Sequence, residues 1–443
     1  MRSMRRFLAI GAALALWGGH ATAQPYSLWQ IWQMALERDP VYASAQANRN
    51  AAQEKVPQAR ALLLPFLTAS TGAEIDNTRN TSLDDSRSSR RGVWAVTLTQ
   101  PIIDIGQWQK LKQSQFQVQS ADLAVQQAWQ DLMLRVSQAY FDVLAAQDTL
   151  KTLDAQKKAI SNQLDAARKG FELGSATIAD TYEAQARLDL ITANEIQARN
   201  ALQVSLDQLQ RIINERPETL AGLSSDITLP PPEPARITDW TDQARSASLD
   251  VARAMLDTQV AEKEISIAKS GHYPTLDFYA QSGSSSDRGV YGPRAGPRSV
   301  DSTVGVQLSI PLFSGGGISS KVREQTSLLQ RSRYDLESAR RVSVQQTQQY
   351  FSGVVSGLAQ VNALLAAEKS SLASLQANQT GYEVGVRVNI DVLNAQQQLY
   401  ETQRALANAR YATLLSGLRL KAAAGTLTDT DLKAVNGLLQ PGP

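Results

Sequence analysis

Cysteine is absent from the 443 residues, and histidine occurs only twice. Without a thiol the chain can form neither a disulfide framework nor a thiolate metal site. His272 is the only histidine after residue 23, so a histidine triad or zinc cluster lacks its components. We expect His272, just before Tyr273-Pro274, to lie at a helix-to-strand junction. The composition predicts no catalytic residues, no cofactor and no bound structural metal.

Charge of one sign is also lacking, because 44 Lys and Arg face 42 Asp and Glu. The net charge of +2 gives no reason to expect a nucleic-acid partner. After the N-terminal region we find no apolar run of eighteen residues, so we expect no transmembrane helix.

The N-terminus has the pattern of an export signal. Three arginines precede an apolar run from Phe7 to Trp17, and Ala21-Thr22-Ala23 offers a small-residue cleavage site. This pattern predicts a signal peptide over residues 1–23, cleaved before Gln24. A membrane anchor is the alternative, but the run is shorter than the roughly 20 residues that a span requires. We expect the mature protein to be exported.

Two stretches of about sixty residues predict long helices. Residues 107–169 contain neither Gly nor Pro, and residues 318–380 form a second stretch of similar length. Sixty helical residues extend roughly 90 Å. In the first stretch apolar or small residues recur every seven, the coiled-coil spacing: Leu111, Val118, Val125, Leu132, Ala139, Ala146, Leu153 and Ile160. Such a stripe fits either a soluble coiled-coil rod or helices closed into a tube. Gly353 and Gly357 predict a close approach of two helices.

Two shorter segments alternate between apolar and polar residues. "VGVQLSIPL" (304–312) and "WAVTLTQPI" (94–102) each suit a membrane strand of nine or ten residues with one lipid face and one water face. "FLTASTGAEI" and "LDFYAQSGSS" are the expected partners, joined through polar loops at 76–92 and 286–302. An ordinary soluble sheet is the alternative. In a membrane, four strands cannot close a barrel and open edges are excluded, so several chains would have to share one barrel.

The chain contains one unit twice. "VTLTQPIIDIG" matches "VQLSIPLFSGG", and "FELGSATIADTYEAQARL" matches "YEVGVRVNIDVLNAQQQL", at an offset of 209 to 211. The predicted organisation is a signal peptide, two repeats, a proline-rich linker between them, and a C-terminal segment near the middle of the molecule or disordered: 1–23, 24–228, 229–240, 241–425 and 426–443. We expect β-hairpins at about 66–102 and 275–312, and long helix pairs at about 105–213 and 318–424.

These duplicated motifs resemble the TolC family of outer-membrane exit ducts over essentially the whole mature chain. The resemblance implies a mainly α fold with membrane β: a homotrimer with a shared twelve-stranded β-barrel, four strands per chain. A long α-helical barrel with a mixed α/β equatorial belt would continue it through the periplasm. It also implies a periplasmic adaptor and an inner-membrane ABC or proton-driven transporter as partners, for type I protein secretion or multidrug efflux.

The strand-to-helix junctions are explained by this architecture. We expect each strand to end where a proline interrupts the hydrogen-bond ladder and glycines permit the chain to turn into the helix. The residues concerned are Pro101, Gly106, Pro311, Gly315, Gly316 and Gly317.

The far end of the helices is the candidate gate. Gly174 and Gly385 predict the turns at the periplasmic tip, and Asp180 and Asp391 follow them at matching positions. Both acids also suit an ordinary role at a helix N-terminus, and Thr177 with Asp180 forms a capping-box pattern.

The resemblance gives these positions a further role. It implies that Tyr382 and Arg387 are lock residues, that Asp180 is their acidic partner across the gap, and that Asp391 belongs to an acidic ring able to bind a multivalent cation. Ala179 stands where a threonine partner is expected, and Asn394 where a second ring acid is expected. We therefore predict a passive duct gated at its tip. A soluble periplasmic coiled-coil scaffold or adaptor is the alternative, and a periplasmic enzyme is a more distant one.

Overall fold

The computed structural model describes residues 25–80, 85–224, 227–289 and 299–440, so the predicted signal peptide lies outside the described residues. Helices dominate, with two β-hairpins between them. The elements are α1 Leu28–Arg38, α2 Pro40–Gln53, α3 Lys55–Ala61, β1 Phe66–Asn80, β2 Asp85–Ile103, α4 Ile105–Glu172, α5 Ile178–Ile213, β3 Gly222–Leu223, α6 Ile237–Ala247, α7 Leu249–Ser270, β4 Thr275–Gly289, β5 Ser299–Ser309, α8 Gly317–Glu383, α9 Asn389–Ala423, α10 Asp429–Asn436 and β6 Leu439–Gln440.

The two hairpins join into one antiparallel sheet in the order β1-β2-β4-β5. The strands are 11 to 19 residues long, longer than the nine or ten expected. Most of the predicted loop 76–92 is strand, because β1 and β2 stay paired residue by residue up to Asn80 and Asp85. The polar residues of this range therefore lie mostly in the paired outer ends of the two strands, and not in the turn between them.

The sheet has one apolar and one polar face, as the alternation predicted. Val304, Val306 and Leu308 are 60–70% exposed on β5. They pair with Ala280, Phe278 and Leu276 of β4, whose side chains lie on the same face. Gly305 and Gln307 point to the other face. An apolar face this open is the arrangement of strands that contact lipid.

The two strand-to-helix junctions differ from each other. β5 ends at Ser309, before Pro311, and the backbone turns through Gly315 and Gly316 with φ of +60° and +80°. Gly317 begins α8 without a positive φ. At this junction the proline and two of the three glycines lie where the ladder ends and the chain turns.

At the first junction the expectation was wrong. β2 continues past Pro101 to Ile103, with a register shift between them. Because β1 pairs only as far as Thr99, the strand has one open side there and tolerates a residue without an amide proton. Gly106 does not form the bend. It lies buried in α4, where a Cβ would come 2.7 Å from Ser270 Oγ of α7.

The long helices run about 100 Å each and fold back on shorter ones. α4 packs against α5, and α8 against α9, giving a first hairpin (α4/α5) and a second hairpin (α8/α9) that touch through α4 and α9. Gly357 lies so close to Thr413 that a side chain would clash there, as expected for that glycine. Contrary to the expectation of no such stretch, α8 includes 18 residues that are apolar enough to cross a membrane by length and composition alone.

The largest of the apolar clusters surrounds the middle of α4. Trp32 and Tyr140 are fully buried, and the Tyr140 hydroxyl lies 2.7 Å from the Ala221 carbonyl. The buried Asp39 forms two hydrogen bonds of 3.0 Å with Arg135. Burial raises the pKa of the Asp39 carboxyl, but the bonds from Arg135 and the Tyr42 amide outweigh it and hold that pKa below its usual value.

The proline-rich segment is not a free linker. α6 begins at Ile237, inside the range 229–240 assigned to it, and Trp240 Nε1 donates to the Pro234 carbonyl at 2.7 Å. Trp240 is buried against the second repeat, because its indole needs both apolar neighbours and an acceptor. The described part of the C-terminal segment packs on the same core: α10 contributes the buried Leu432, and β6 pairs with β3.

Candidate functional site

The far ends of the two hairpins are built on the same backbone pattern. Gly174 and Gly385 adopt φ of +74° and +78°. In each turn a backbone amide after the helix donates to a carbonyl of its last turn. Ser175 N donates to Gly170 O at 2.8 Å, and Val386 N donates to Gly381 O at 2.8 Å. This is a Schellman motif, which favours glycine because a side chain is strained at positive φ. The tip glycines therefore lie where the repeat predicted them.

The helices that leave these turns start differently. Thr177 caps α5, and its hydroxyl and amide bond the Asp180 carboxylate at 2.7 and 2.9 Å. The capping box suggested by the sequence is present. At the matching place in the second repeat Val388 caps α9 and offers no side-chain oxygen. The two tips thus share a backbone pattern but not the way in which the next helix is anchored.

The two acids have separate surroundings. Asp180 is held in its own cap, whereas Asp391 lies 3.7 Å from Arg387 Nη1, one turn away on the same hairpin. Within the described chain, Arg387 and Asp180 thus each have a local partner and do not form the expected pair with each other. The cap takes up the carboxylate of Asp180 because Thr177 is only three residues away.

The other two expected residues also have partners within the chain. Tyr382 is half-buried against the apolar cluster of the second hairpin around Leu375 and Val392. Asn394, expected in the ring, instead accepts a hydrogen bond at 2.9 Å from Arg187 of α5. Asn394 lies one turn after Asp391 on α9, and a side chain there can face either a neighbouring helix or the channel opening. Its position in the sequence does not distinguish these two orientations.

A contact that joins the hairpins, between Asn389 and Gln163, was missed from the sequence. Asn389, the first residue of α9, is 2% exposed and bonds both Gln163 of α4 and the backbone of α5. A repeat comparison offers one signal, since Asn389 falls where the first repeat has Ile178. A polar residue at a position that is apolar in the other copy indicates a contact made in only one copy.

The first hairpin has a charged contact of its own. Glu195 of α5 is nearly buried, and Lys157 Nζ of α4 lies 2.6 Å from its Oε2. Arg199, one turn further along α5, bonds the other oxygen. The hydrogen bond from Lys157 lowers the pKa of Glu195, so the carboxylate stays ionised at neutral pH. The α4/α5 hairpin is therefore tied together by charge as well as by its apolar seam.

Apolar side chains are exposed at the extreme end of both hairpins. Leu173 is 83% exposed in the first turn, and Val384, Val386 and Val388 are exposed in the second. Single exposed apolar residues are common, but a group of them at one end of a rod is a feature of contact surfaces. Among the described residues, no group of three or more histidines or carboxylates is placed to hold a metal within one chain.

Known proteins match this chain along most of its length. A family model described as outer membrane efflux protein matches residues 31–215 and 240–426, the two repeats. Outer membrane protein TolC of Escherichia coli is 34% identical, with 98% of this chain and 90% of that protein aligned. Alkaline protease secretion protein AprF of Pseudomonas aeruginosa is 32% identical over 98% and 91%. The fold is similar to the Campylobacter jejuni CmeC outer membrane channel, with a TM-score of 0.78 at 14% identity over 99% and 97%.

Proposed function

Since this chain belongs to the outer membrane efflux protein family, we propose that three copies of it form the exit duct of a tripartite export system. The duct is a passive conduit, with the sheet in the outer membrane and the helices in the periplasm. Cargo passes along its axis and is not chemically changed. The protein is therefore a channel and not an enzyme.

The open sheet carries the trimer proposal. β1 and β5 are the outer strands of the described sheet and each has one unpaired edge. Backbone groups at such an edge cannot be left unpaired in hydrocarbon, where each costs several kcal/mol. Pairing β5 of one copy with β1 of the next satisfies both edges, and three copies give a closed barrel of twelve strands. The exposed apolar face of β5 then lies against lipid.

Crosslinking in native outer membranes tests this assembly. The expected product is a trimer that sediments with the outer membrane and survives mild detergent. Because the chain contains no cysteine, single cysteines introduced on the unpaired edges of β1 and β5 can be joined specifically between copies. A monomer that conducts as a full-sized pore, or a soluble chain in the periplasmic fraction, would overturn the proposal.

The tip supports a gate in the same duct. Three copies bring three second hairpins around one axis, with Tyr382, Arg387 and Asp391 near the opening and Asp180 on the first hairpin. Asp391 from three copies would form a ring that attracts multivalent cations, weakened by Arg387 at 3.7 Å. Such charged contacts in a water-filled tube are each worth only about 0.2–1 kcal/mol. A docking partner can therefore shift the closed tip towards the open state.

The exposed apolar tip supports the remaining partners. Leu173, Val384 and Val386 lie at the end of the rod that faces away from the sheet, towards the inner membrane. We assign this end to a periplasmic adaptor and, through it, to an inner-membrane ABC or proton-driven transporter. The transporter then determines whether the cargo is a secreted protein or a small compound.

A further inference from the structure

The buried amide of Asn389 needs partners, because burying such a group without hydrogen bonds is costly. Its side chain is 2% exposed, although it starts a helix at the end of a long hairpin. The residue at the same place in the first repeat is Ile178, which is 45% exposed. The usual pattern is reversed here, with the apolar residue in solvent and the amide inside.

The amide of Asn389 joins three helices. Its oxygen accepts a hydrogen bond from Gln163 Nε2 of α4 at 2.5 Å. Its nitrogen donates to the Asp180 backbone carbonyl of α5 at 3.4 Å. The partners lie 226 and 209 residues away in the sequence and belong to both helices of the first hairpin. One side chain of the second hairpin thus bonds both helices of the first hairpin.

A second contact lies further along the same face of α9. Arg187 of α5 donates to Asn394 at 2.9 Å and also to Gln397. Between the two contacts Leu393 is buried in the apolar core of the first hairpin. Asn389, Leu393 and Gln397 are four residues apart, so they lie on one side of the helix. This side of α9 is therefore an interface between the two hairpins of one chain.

We infer that Asn389 with Gln163 is a polar latch that holds the second hairpin against the first, with Arg187 and Asn394 as its second contact. The inference rests on the proposed gated duct, because moving the second hairpin outward at the tip would change these contacts. The Asn389–Gln163 contact of the latch differs from the expected charged lock in being neutral and mostly buried. Its strength should therefore depend little on salt, whereas an exposed ion pair is screened.

Asn389→Leu and Gln163→Leu test the first contact. Both remove the Asn389–Gln163 hydrogen bond at nearly constant side-chain volume, so each should raise the ratio of open to closed channels at least about tenfold in planar bilayers. Asn389→Leu also loses the bond to the Asp180 carbonyl, so the double variant should open no further than Asn389→Leu alone. Asn378→Leu is the matched control, since Asn378 is half-buried on α8 and its amide bonds Ser374 of its own helix. Additive effects, or opening equal to that of the control, would overturn the latch.

Asn394→Asp tests the second contact against the expected ring. A carboxylate 2.9 Å from Arg187 makes an ion pair between the hairpins, so the variant should close the channel further. This closure should vanish when Arg187→Gln is added. If Asn394→Asp instead strengthens cation block and does so equally with Arg187→Gln, Asn394 faces the opening and the second contact is wrong.

A distance measurement separates the latch from the channel function. Spin labels on Ala186→Cys of α5 and Gln398→Cys of α9, both exposed, report the spacing of the hairpins in trimers diluted with unlabelled chain. Asn389→Leu should broaden or lengthen the distance distribution, and Asn378→Leu should not. An unchanged distribution would overturn the latch even if the trimer conducts. A wild-type trimer that does not conduct would instead overturn the proposed function, while the distances still test the latch.

Discussion

The two copies of the repeat start their helices in opposite ways. In the first copy, α1, α2, α4 and α5 begin at residues whose side chains accept a backbone hydrogen bond: Ser27, Asp39, Asp104 and Thr177. In the second copy the matching helices α6, α7, α8 and α9 begin at Arg236, Ser248, Gly316 and Val388, which make no such side-chain bond among the described residues. α3 also lacks one, but it has no separate counterpart, because α7 is continuous.

This difference indicates that the helices of the first copy are stabilised by local capping contacts, whereas those of the second copy are not. An N-cap side chain contributes about 1 kcal/mol to its helix, so four of them give the first copy several kcal/mol that the second lacks. The second copy must gain its position from packing against the first, as through Leu393 and Asn389. A displacement of the second hairpin therefore costs few local hydrogen bonds, whereas unwinding the helix starts of the first hairpin would break its caps.

The largest effect is expected at the joint between the short helices. Asp39 is buried and paired with Arg135, whereas Ser248 and Gln345 occupy the matching places. Arg135→Gln should cost about 3 kcal/mol, because it leaves a buried carboxylate without its partner. Copying the second repeat with Asp39→Ser and Arg135→Gln together should cost less, about 1–2 kcal/mol, because no charge is left unpaired. Thermal unfolding of the detergent-solubilised protein measures both.

The pH dependence provides an internal check on that pair. The folded pKa of Asp39 lies below its unfolded value of about 3.9. Its contribution is therefore full above that value and is lost as the pH falls through the folded pKa. The double variant should lose less stability than the wild type between pH 5 and 2. If the two proteins lose the same stability over this range, groups other than Asp39 determine the loss of stability at acid pH.

A smaller effect is expected from exchanging the caps at the tip. Thr177→Ala should destabilise the start of α5 by about 1 kcal/mol, because it removes the hydroxyl that accepts from the Asp180 amide and leaves only the backbone half of the capping box. Val388→Thr should have the opposite sign, since Asp391 already stands three residues further on and can complete a box. Hydrogen exchange of the first-turn amides measures both. Faster exchange in the Val388→Thr protein would contradict the comparison.

The sequence predicted the parts of this molecule that repeat and missed the contacts between them. Heptad spacing and strict alternation reflect faces that are buried or exposed along a whole element, so the long helices and the sheet could be predicted. Pro101 and Gly106 misled, because a proline at an open strand side and a glycine under Ser270 look the same in sequence as a strand end and a bend. Asn389 could not be assigned, since its partners lie more than 200 residues away.

The smallest change in free energy is expected at the tip, where Asp180 and Asp391 occupy matching positions but should respond differently to substitution. The exposed Arg387–Asp391 pair, with 3.7 Å between charges, should contribute about 0.3–0.5 kcal/mol per copy. Arg387→Ser should therefore raise resting conductance only a few-fold in a planar bilayer, and added salt should shrink the difference. Asp391→Ala should abolish block by multivalent cations, whereas Asp180→Ala should leave the block intact and weaken the α5 cap. Cation block that survives Asp391→Ala, or disappears with Asp180→Ala, would mean that Asp180, the acid held in the α5 cap, lines the opening. The proposed difference between the two tips would then be wrong at the position that controls transport.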